Sequence, residues 1–262
     1  MGSYEGYTGV EVEARDDGVV VATLNRPERL NSFNGQMRED IHRLLGEVTD
    51  DADARVLVMT GAGRAFCSGA DLTAEDRRGW PIRPHEPLFG WCTSLLEMPK
   101  PTICAVNGLA AGGGLGLALL FDIRICADDA RLLPIWMKRA IHPDDLITWT
   151  LPRLVGYSRA LHWLYTAEEI PVDIAAAAGM VNEVVPAEDV LPTALRLAEQ
   201  LAAGPPMHMS LTKQAVMKGL DGTGFDAALL ESWGQAKALA SEDFQEGLAA
   251  FKEKRPPVFR GR

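Results

Sequence analysis

The sequence predicts an α/β fold with a helical C-terminal part. In the first part of the chain, short apolar runs typical of strands alternate with segments whose apolar residues recur at helical spacing. Beyond residue 185 the chain is rich in Ala and Leu and reads as helix to about Lys254. The 262 residues, 47% of them hydrophobic, are enough to bury one large core. We expect a core over residues 1–203 and a helical region over 204–262, divided near Gly204.

The elements of the predicted core follow one another as strands and helices. Residues 10–14 and 18–25 read as a strand pair joined by the turn Asp16-Asp17-Gly18. Residues 34–48 carry apolar side chains at helical spacing, and 55–61 form a continuous apolar run, typical of a strand covered on both faces. The remaining core elements are a helix near 88–97, strands at 102–108 and 122–128 with a glycine-led helix between them, and a short strand near 180–185.

Composition and charge argue against several classes of function. The formal net charge of −10 disfavours a partner that is a nucleic acid or an anionic membrane. No apolar stretch is long enough to span a bilayer, and the start, MGSYEGY, lacks the features of a signal peptide, so we expect a cytoplasmic protein. The cysteines are widely spaced, which favours buried thiols over disulfides or a metal site; they are Cys67, Cys92, Cys104 and Cys126.

One stretch places three glycines where a helix begins. It reads GLAAGGGLGLALLFD, from Gly108 to Asp122, with an apolar run after residues 112–114. Glycine loses more conformational freedom on folding than any other residue, so three in succession need a reason. The first N–H groups of a helix lack partners within the helix and suit a negatively charged group. A phosphate cradle, an oxyanion hole and tight packing all fit, although the P-loop and dinucleotide patterns match poorly.

A second turn, GRAFCSGADL over residues 63–72, favours the oxyanion hole. It follows the strand at 55–61 in the same way as the glycine run follows the strand at 102–108. Two such turns can meet at one edge of a sheet, where α/β proteins bind ligands. Each turn can then donate one backbone N–H to the same carbonyl oxygen and stabilise negative charge that develops on it.

Five segments, in their order and spacing, resemble the enoyl-CoA hydratase/isomerase (crotonase) superfamily: LNRPERLNSF, VLVMTGAGRAFCSGADL, PKPTICAVNGLAAGGGLGLAL, DIRICADDAR and FQEGLAAFKEKRPP. The resemblance covers nearly the whole chain. It implies a crotonase-like spiral of ββα units, a helical C-terminal trimerisation region, and a homotrimer or dimer of trimers. It also implies a coenzyme A thioester as substrate, no permanently bound cofactor, and an oxyanion hole formed by the N–H groups of Ala70 and Gly113.

The same resemblance implies residues that bind coenzyme A. Two turns of the core are similar to the wall around its adenosine end; the residues are Glu28, Arg29, Leu30, Ser68 and Leu72, together with Ala70. Arg29 suits a phosphate, although a solvated loop arginine is the commoner case. Phe251 and Lys254 match C-terminal residues that reach coenzyme A in this family, often across a subunit boundary. A charge at a helix end is the alternative for Lys254.

The chain departs from the hydratase pattern at both catalytic glutamates. In the hydratases of this family one glutamate lies just after the glycine triplet, and Gly116 stands there. The other lies beyond the following strand, where Trp136 stands. Neither residue can transfer a proton, so the residues do not support the usual two-glutamate hydration of an enoyl-CoA.

Four residues beyond that strand are the catalytic candidates: Trp136, His142, Asp144 and Asp145. Asp144 lies eight residues after Trp136, where dienoyl-CoA isomerases and 4-chlorobenzoyl-CoA dehalogenases of the family place a catalytic carboxylate. The dehalogenases also pair that aspartate with a tryptophan, although the position of their general-base histidine holds Phe89. The alternative for Asp144 is structural, because HPDDL is also a good helix start.

Three functions remain open on these residues. The leading one is an acyl-CoA enzyme of this family that polarises a thioester in its oxyanion hole and uses Asp144 as acid, base or nucleophile. The second is a dehalogenase-like or thioester-cleaving hydrolase that uses Asp144 with Trp136. The third is an acyl-CoA binding protein that has lost the chemistry.

Overall fold

The computed structural model describes residues 2–73 and 90–262. The strands are β1 Val10–Ala14, β2 Val19–Leu24, β3 Val56–Gly61, β4 Ala65–Cys67, β5 Thr102–Val106, β6 Leu109–Ala111, β7 Ile123–Ala127, β8 Leu132–Leu133 and β9 Glu183–Val185. The helices are α1 Gly35–Asp50, α2 Gly90–Glu97, α3 Gly113–Leu120, α4 Ile147–Val155, α5 Tyr157–Thr166, α6 Val172–Ala177, α7 Val190–Ala202, α8 Pro206–Gly219, α9 Gly224–Leu239 and α10 Glu242–Glu253. The predicted mixed α/β fold with a helical C-terminal region is confirmed.

The larger sheet has six strands in the order β1-β2-β3-β5-β7-β9. β1 and β2 pair antiparallel, and the other neighbours pair parallel. Every residue of β3 and β5 is buried, which agrees with their continuous apolar sequences. α1 begins at the N-cap Asn34, whose side chain accepts a hydrogen bond from the N–H of Met37. This sheet therefore forms where the apolar runs predicted it.

A second sheet of three short parallel strands, in the order β4-β6-β8, was not among the elements predicted from the residues, although the resemblance to the family implies ββα units. Each of its strands comes directly after a strand of the larger sheet, so that β3-β4, β5-β6 and β7-β8 form successive pairs, each followed by a helix. The predicted turns therefore leave the ends of β4 and β6 rather than those of β3 and β5. Strands of two or three residues are too short to leave an alternating pattern, which is why the sequence did not show them.

The C-terminal helices divide between the core and an exposed hairpin. α7 packs on β2, β3, β5 and β7 of the larger sheet. α8 and α9 pack on each other and have no buried residue, and Gly204 lies between α7 and α8. Lys213 of α8 joins the core through an ion pair of 2.8 Å with Asp122. Within the described ranges, no helix combines the length and apolarity needed to cross a membrane.

A buried asparagine, Asn31, joins the two loops that border the small sheet. Its side-chain oxygen accepts the N–H of Arg26 at 2.8 Å, and its amide donates to the carbonyls of Ala62 and Ala65 at 2.9 and 2.8 Å. The backbone of Asn31 has a φ of 54°, in the left-handed region that Asn tolerates better than most residues. The residue thereby holds the NRPERLN loop against the turn that leads into β4.

We expect Asn31→Ala to destabilise the protein by about 3 kcal/mol, because it removes the partner of one buried and two partly buried backbone groups and puts Ala at a positive φ. Urea unfolding of the two proteins measures the difference. The matched control is Asn25→Ala, which removes an amide that donates only to the exposed Glu11 and should change stability by less than about 0.5 kcal/mol. Equal losses for both variants would contradict this role for Asn31.

Candidate active site

Two glycine-containing turns meet in direct backbone contact at the ends of β4 and β6. Gly69 has a φ of 87°, and a Cβ atom there would lie 2.7 Å from the carbonyl oxygen of Ala111 and 3.1 Å from the nitrogen of Gly113. A side chain on Gly114 would likewise run into the carbonyl of Cys67. Only glycine permits both approaches, so the glycines serve the contact between the turns.

The contact between the turns brings together the two N–H groups of the predicted oxyanion hole. Ala70 directly follows Gly69 and forms a parallel bridge with Phe33, in which Phe33 donates to the Gly69 carbonyl and accepts from Asp71. Gly113 is the first residue of α3. Within residues 2–73 and 90–262, the N–H groups of Ala70 and Gly113 make no hydrogen bond. Both donors are therefore available to a ligand.

Asp144 lies between β8 and α4 as a partly buried carboxylate held by an indole. The Nε1–H of Trp136, a side chain that is 4% exposed, donates to Asp144 Oδ1 at 2.7 Å. Burial raises the pKa of Asp144, while the hydrogen bonds from Trp136 and Asp145 and the proximity of His142 lower it. The structure thus joins Trp136 and Asp144, as the resemblance to the dehalogenases implies.

Asp145 is more deeply buried than Asp144 and points toward α3. The Nε1–H of Trp91 donates to Asp145 Oδ1 at 3.1 Å, and the Cys92 thiol lies 3.7 Å from the same oxygen. Burial raises the pKa of Asp145 well above its ordinary value, and the charge of Asp144 raises it further. Each of the two neighbouring carboxyl groups therefore accepts an indole N–H from a different tryptophan.

A helix begins directly after HPDDL, as the sequence predicts, but neither aspartate side chain caps it. α4 begins after Leu146, and no side chain caps it. Asp145 and Leu146 both have positive φ angles, 52° and 55°, which turn the chain before the helix starts and direct the Asp145 carboxyl inward. His142 is exposed, and its Nδ1 lies 2.6 Å from the Pro143 carbonyl.

The residues predicted to line the coenzyme A site fall into one assembled group and several exposed positions. The Ser68 N–H donates to the carbonyl of Leu30 at 3.0 Å, and its hydroxyl donates to that of Arg29 at 3.4 Å. The side chains of Glu28 and Arg29 are exposed, and Leu72 is 41% exposed. The loop around Arg29 and the turn around Ser68 thus form one continuous surface beside Ala70.

Phe251 and Lys254 lie on the C-terminal helix. Phe251 is 84% exposed on α10, and Lys254 ends the same helix with a φ of 55°. Among the described residues, no hydrogen bond or ion pair joins the Lys254 side chain to the turn around Ser68. Their predicted role in binding coenzyme A stays a prediction.

Two residues of the site have roles that the sequence did not reveal. The sequence is compatible with Trp91 either as part of the wall of the acyl pocket or as part of a packed loop. In the structure Trp91 is buried and packs on Phe33, with ring centres 5.0 Å apart. Its indole N–H donates a hydrogen bond to Asp145. Asn107 accepts the N–H of Gly61 and donates to the carbonyl of Gly63, which ties the two strand exits together. Trp80, Phe89 and His85 lie outside the described residues.

Comparison with known proteins places this geometry in a family. The model of the enoyl-CoA hydratase/isomerase family matches residues 14–262. The chain belongs to the enoyl-CoA hydratase/isomerase family. It is 40% identical over 258 residues to a 1,2-epoxyphenylacetyl-CoA isomerase of Escherichia coli, which covers 94% of this chain and 97% of that protein. It is 35% identical to an (E)-benzylidenesuccinyl-CoA hydratase of Thauera aromatica, over 93% of this chain and 96% of the relative.

Solved structures of the family share the whole fold. A probable enoyl-CoA hydratase/isomerase of Mycobacterium abscessus superposes with a TM-score of 0.89 at 35% identity, over 97% of this chain and 99% of the other. An enoyl-CoA hydratase of Bacillus anthracis gives a TM-score of 0.89 at 33% identity, over 97% and 100% of the two chains. These matches confirm the predicted crotonase-like fold and membership of a family of acyl-CoA-processing enzymes.

In this member of the family, Asp145 occupies the space beside the glycine-led helix. A Cβ atom on Gly116 would lie 2.6 Å from the Cβ of Asp145, and one on Gly113 would lie 2.6 Å from its Oδ2. The resemblance to hydratases implies a glutamate at residue 116. Because glycine stands there instead, the carboxyl group of Asp145 from another loop has room beside the helix. Gly116 and Asp145 are sterically coupled.

We expect Gly116→Ala to destabilise the protein by about 1–3 kcal/mol, because the new methyl group overlaps Asp145 and must displace its loop. Gly116→Glu should not produce crotonyl-CoA hydration, since the same atom of Asp145 blocks the start of the glutamate side chain. Denaturant unfolding and the loss of enoyl absorbance measure the two effects.

The matched control is Gly46→Ala in α1, where a Cβ atom would meet nothing within 4 Å. That substitution should stabilise the protein by about 0.5–1 kcal/mol, as expected for Ala in a helix. If Gly116→Ala were equally stabilising, the proposed coupling with Asp145 would be wrong.

Proposed function

We propose that this protein is an acyl-CoA isomerase in which one carboxylate, Asp144, moves a proton on the acyl group. Asp144 takes a proton from the carbon next to the thioester carbonyl, and the electron pair of the broken C–H bond passes into the carbonyl as an enolate. The protonated Asp144 then returns the proton to a different carbon of the conjugated system, and the enolate collapses to the thioester. Substrate and product therefore have the same atoms, and no cofactor is needed.

The observation that carries this proposal is a partly exposed carboxylate, Asp144, next to Asp145, which approaches Gly113, while the N–H groups of Ala70 and Gly113 make no hydrogen bond within the described residues. Asp144 is less buried than Asp145, and one of its oxygens is engaged by Trp136, which leaves the other for the substrate. The unpartnered N–H groups of Ala70 and Gly113 suit the enolate oxygen, and a donor of this kind contributes roughly 3 kcal/mol to transition-state stabilisation.

Two further findings favour isomerisation over hydration. A raised pKa brings Asp144 closer to the operating range of a general base, since an ordinary carboxylate is a weak base for a carbon acid. Addition of water needs a group to activate the water and another to deliver a proton, and Gly116 and Trp136 stand at the positions the hydratases use. The relative at 40% identity is named an isomerase.

The bond from Trp136 to Asp144 also favours a second candidate, a hydrolase in which Asp144 is a nucleophile. In that reaction Asp144 attacks the ring carbon of 4-chlorobenzoyl-CoA, chloride leaves, and water hydrolyses the aryl ester. The exposed His142, close to Asp144 in the sequence, is a candidate for activating that water. Release of chloride from 4-chlorobenzoyl-CoA distinguishes this reaction from isomerisation.

We also propose that the surface formed by Glu28, Arg29, Leu30, Ser68 and Leu72 binds the adenosine end of coenzyme A. What supports this is the direct packing of the Arg29 loop on the turn that carries Ser68 and Ala70, which joins the surface to the free amides. Phe251 and Lys254 are exposed on the single chain, and we propose that they reach coenzyme A bound to a neighbouring subunit.

Exchange of the α-hydrogens of phenylacetyl-CoA with deuterium from D2O tests the proposed role of Asp144. This exchange needs only enolate formation and is followed by mass spectrometry. We expect the wild-type protein to catalyse it, and Asp144→Asn to lower the rate roughly a hundred-fold to ten-thousand-fold, because the general base is lost.

The control for this experiment is Asp129→Asn, which removes an exposed carboxylate of the turn between β7 and β8 and should keep the full rate. An Asp144→Asn variant with wild-type exchange would remove Asp144 from the mechanism. Tight binding of phenylacetyl-CoA by the wild-type protein without exchange or turnover would favour an acyl-CoA binding protein.

We infer a homotrimer, or a dimer of trimers, for the assembled protein. Support comes from the α8–α9 hairpin, which carries exposed large apolar side chains: Val216, Leu220, Phe225, Leu229 and Trp233. Sedimentation velocity should give three or six times the chain mass of 28.4 kDa. Leu229→Glu should lower that mass, because it places a charge on the apolar surface, and a wild-type protein that sediments as one chain would refute the inference.

A further inference from the structure

We propose that Asp145 is a positioning residue that keeps a proton at neutral pH and donates it in a hydrogen bond to Asp144, so that the two carboxyl groups share one proton and one charge. This inference rests on the proposed role of Asp144. It assigns the second aspartate, which touches no substrate in the proposed reaction, a defined protonation state and a defined effect on the first.

The placement of Asp145 disfavours a charge on it. The side chain is 5% exposed, and a Cβ atom on Gly113, at the end of α3 where the proposed enolate oxygen is bound, would lie 2.6 Å from Asp145 Oδ2. A carboxylate there would repel the negative charge that develops on that oxygen. A neutral carboxylic acid in the same place does not.

The contacts of the two carboxyl groups show which of them keeps the charge. Asp144 accepts the shorter indole hydrogen bond, 2.7 Å from Trp136, against 3.1 Å from Trp91 to Asp145. Asp144 is also the more exposed of the pair, and His142 favours its charged form. Environments that separate two neighbouring carboxyl groups in this way give one acid and one base.

The groups that face Asp145 from the described elements do not supply a compensating positive charge. They are Asp144 on its own loop, Cys92 on α2 and Cys67 on β4. Burial raises the pKa of both thiols, so they remain neutral. Among these residues, Asp144 is the one whose carboxylate can accept a hydrogen bond from a protonated Asp145.

The stability of Asp145→Asn as a function of pH tests the shared proton without any substrate. Above pH 3.8, the ordinary Asp value, the unfolded chain releases the Asp145 proton while the folded chain keeps it. The wild-type protein must therefore lose stability as pH rises, whereas the neutral amide has no proton to keep. We expect the melting temperature of Asp145→Asn, relative to wild type, to increase steadily from acidic to neutral pH.

The difference between Asp129→Asn and wild type, measured in the same way, should stay flat, because Asp129 is exposed. A flat difference for Asp145→Asn as well would mean that the folded protein holds no extra proton, and it would overturn the inference.

The pH profile of α-hydrogen exchange then tests the hydrogen bond to Asp144. The acidic limb of the plot of kcat/KM against pH reports the pKa of the general base, Asp144. Asp145→Asn keeps a neutral hydrogen-bond donor and should leave this limb near its wild-type position. Asp145→Ala loses the donor, so the pKa of Asp144 rises and the acidic limb should move to higher pH. If Asp145 were ionised, both variants would remove a negative charge and move the limb to lower pH. If Asp145 only filled space, neither would move it.

The two experiments separate the inference from the proposed function. Wild-type exchange in Asp144→Asn would refute the role of Asp144, while the melting temperatures would still report whether the pair holds an extra proton. A flat difference in melting temperature together with an inactive Asp144→Asn would refute only the inference about Asp145.

Discussion

The site depends on one backbone contact, the approach of the turn at Gly69 to the start of α3. Gly69 faces the carbonyl of Ala111 and the nitrogen of Gly113, and Gly114 faces the carbonyl of Cys67. At these distances a side chain on Gly69 or Gly114 would separate the turns, so the glycines are there because two backbones meet. This contact sets the two unpartnered amides of Ala70 and Gly113 at the adjoining ends of two parallel strands, β4 and β6. Pairing of β4 with β6 in the small sheet thereby places Ala70 and Gly113, which are about forty residues apart in the sequence, in one donor site.

The aspartate pair depends on a second close approach, of Asp145 to the same helix. Gly116 and Gly113 leave room for its side chain, and the positive φ angles at Asp145 and Leu146 turn it inward. Two tryptophans then hold the two carboxyl groups from different elements, Trp91 from α2 and Trp136 from the segment after β8. The two aspartates therefore lie in different environments, because Asp145 is buried and Asp144 is partly exposed. This difference is the physical basis for assigning them different protonation states.

The long apolar runs and the glycine pattern were enough to predict the larger sheet, the helical C-terminal region and the two turns that meet. β4, β6 and β8 were not predictable, because two or three residues cannot show a period, and the turns were therefore assigned to the wrong sheet. The contact between Trp136 and Asp144 was implied by the resemblance to the dehalogenases, which pair a tryptophan with an aspartate at these positions. The inward position of Asp145 depends on backbone angles and on Gly116, and a good helix-start sequence concealed it.

The most direct test of the account is a crystal structure of Asp144→Asn with phenylacetyl-CoA bound. We expect the thioester oxygen to lie within hydrogen-bonding distance of the N–H groups of both Ala70 and Gly113. The side chain at residue 144 should face the α carbon. A thioester oxygen distant from both amides, in a site that nevertheless holds the ligand, would contradict the central claim.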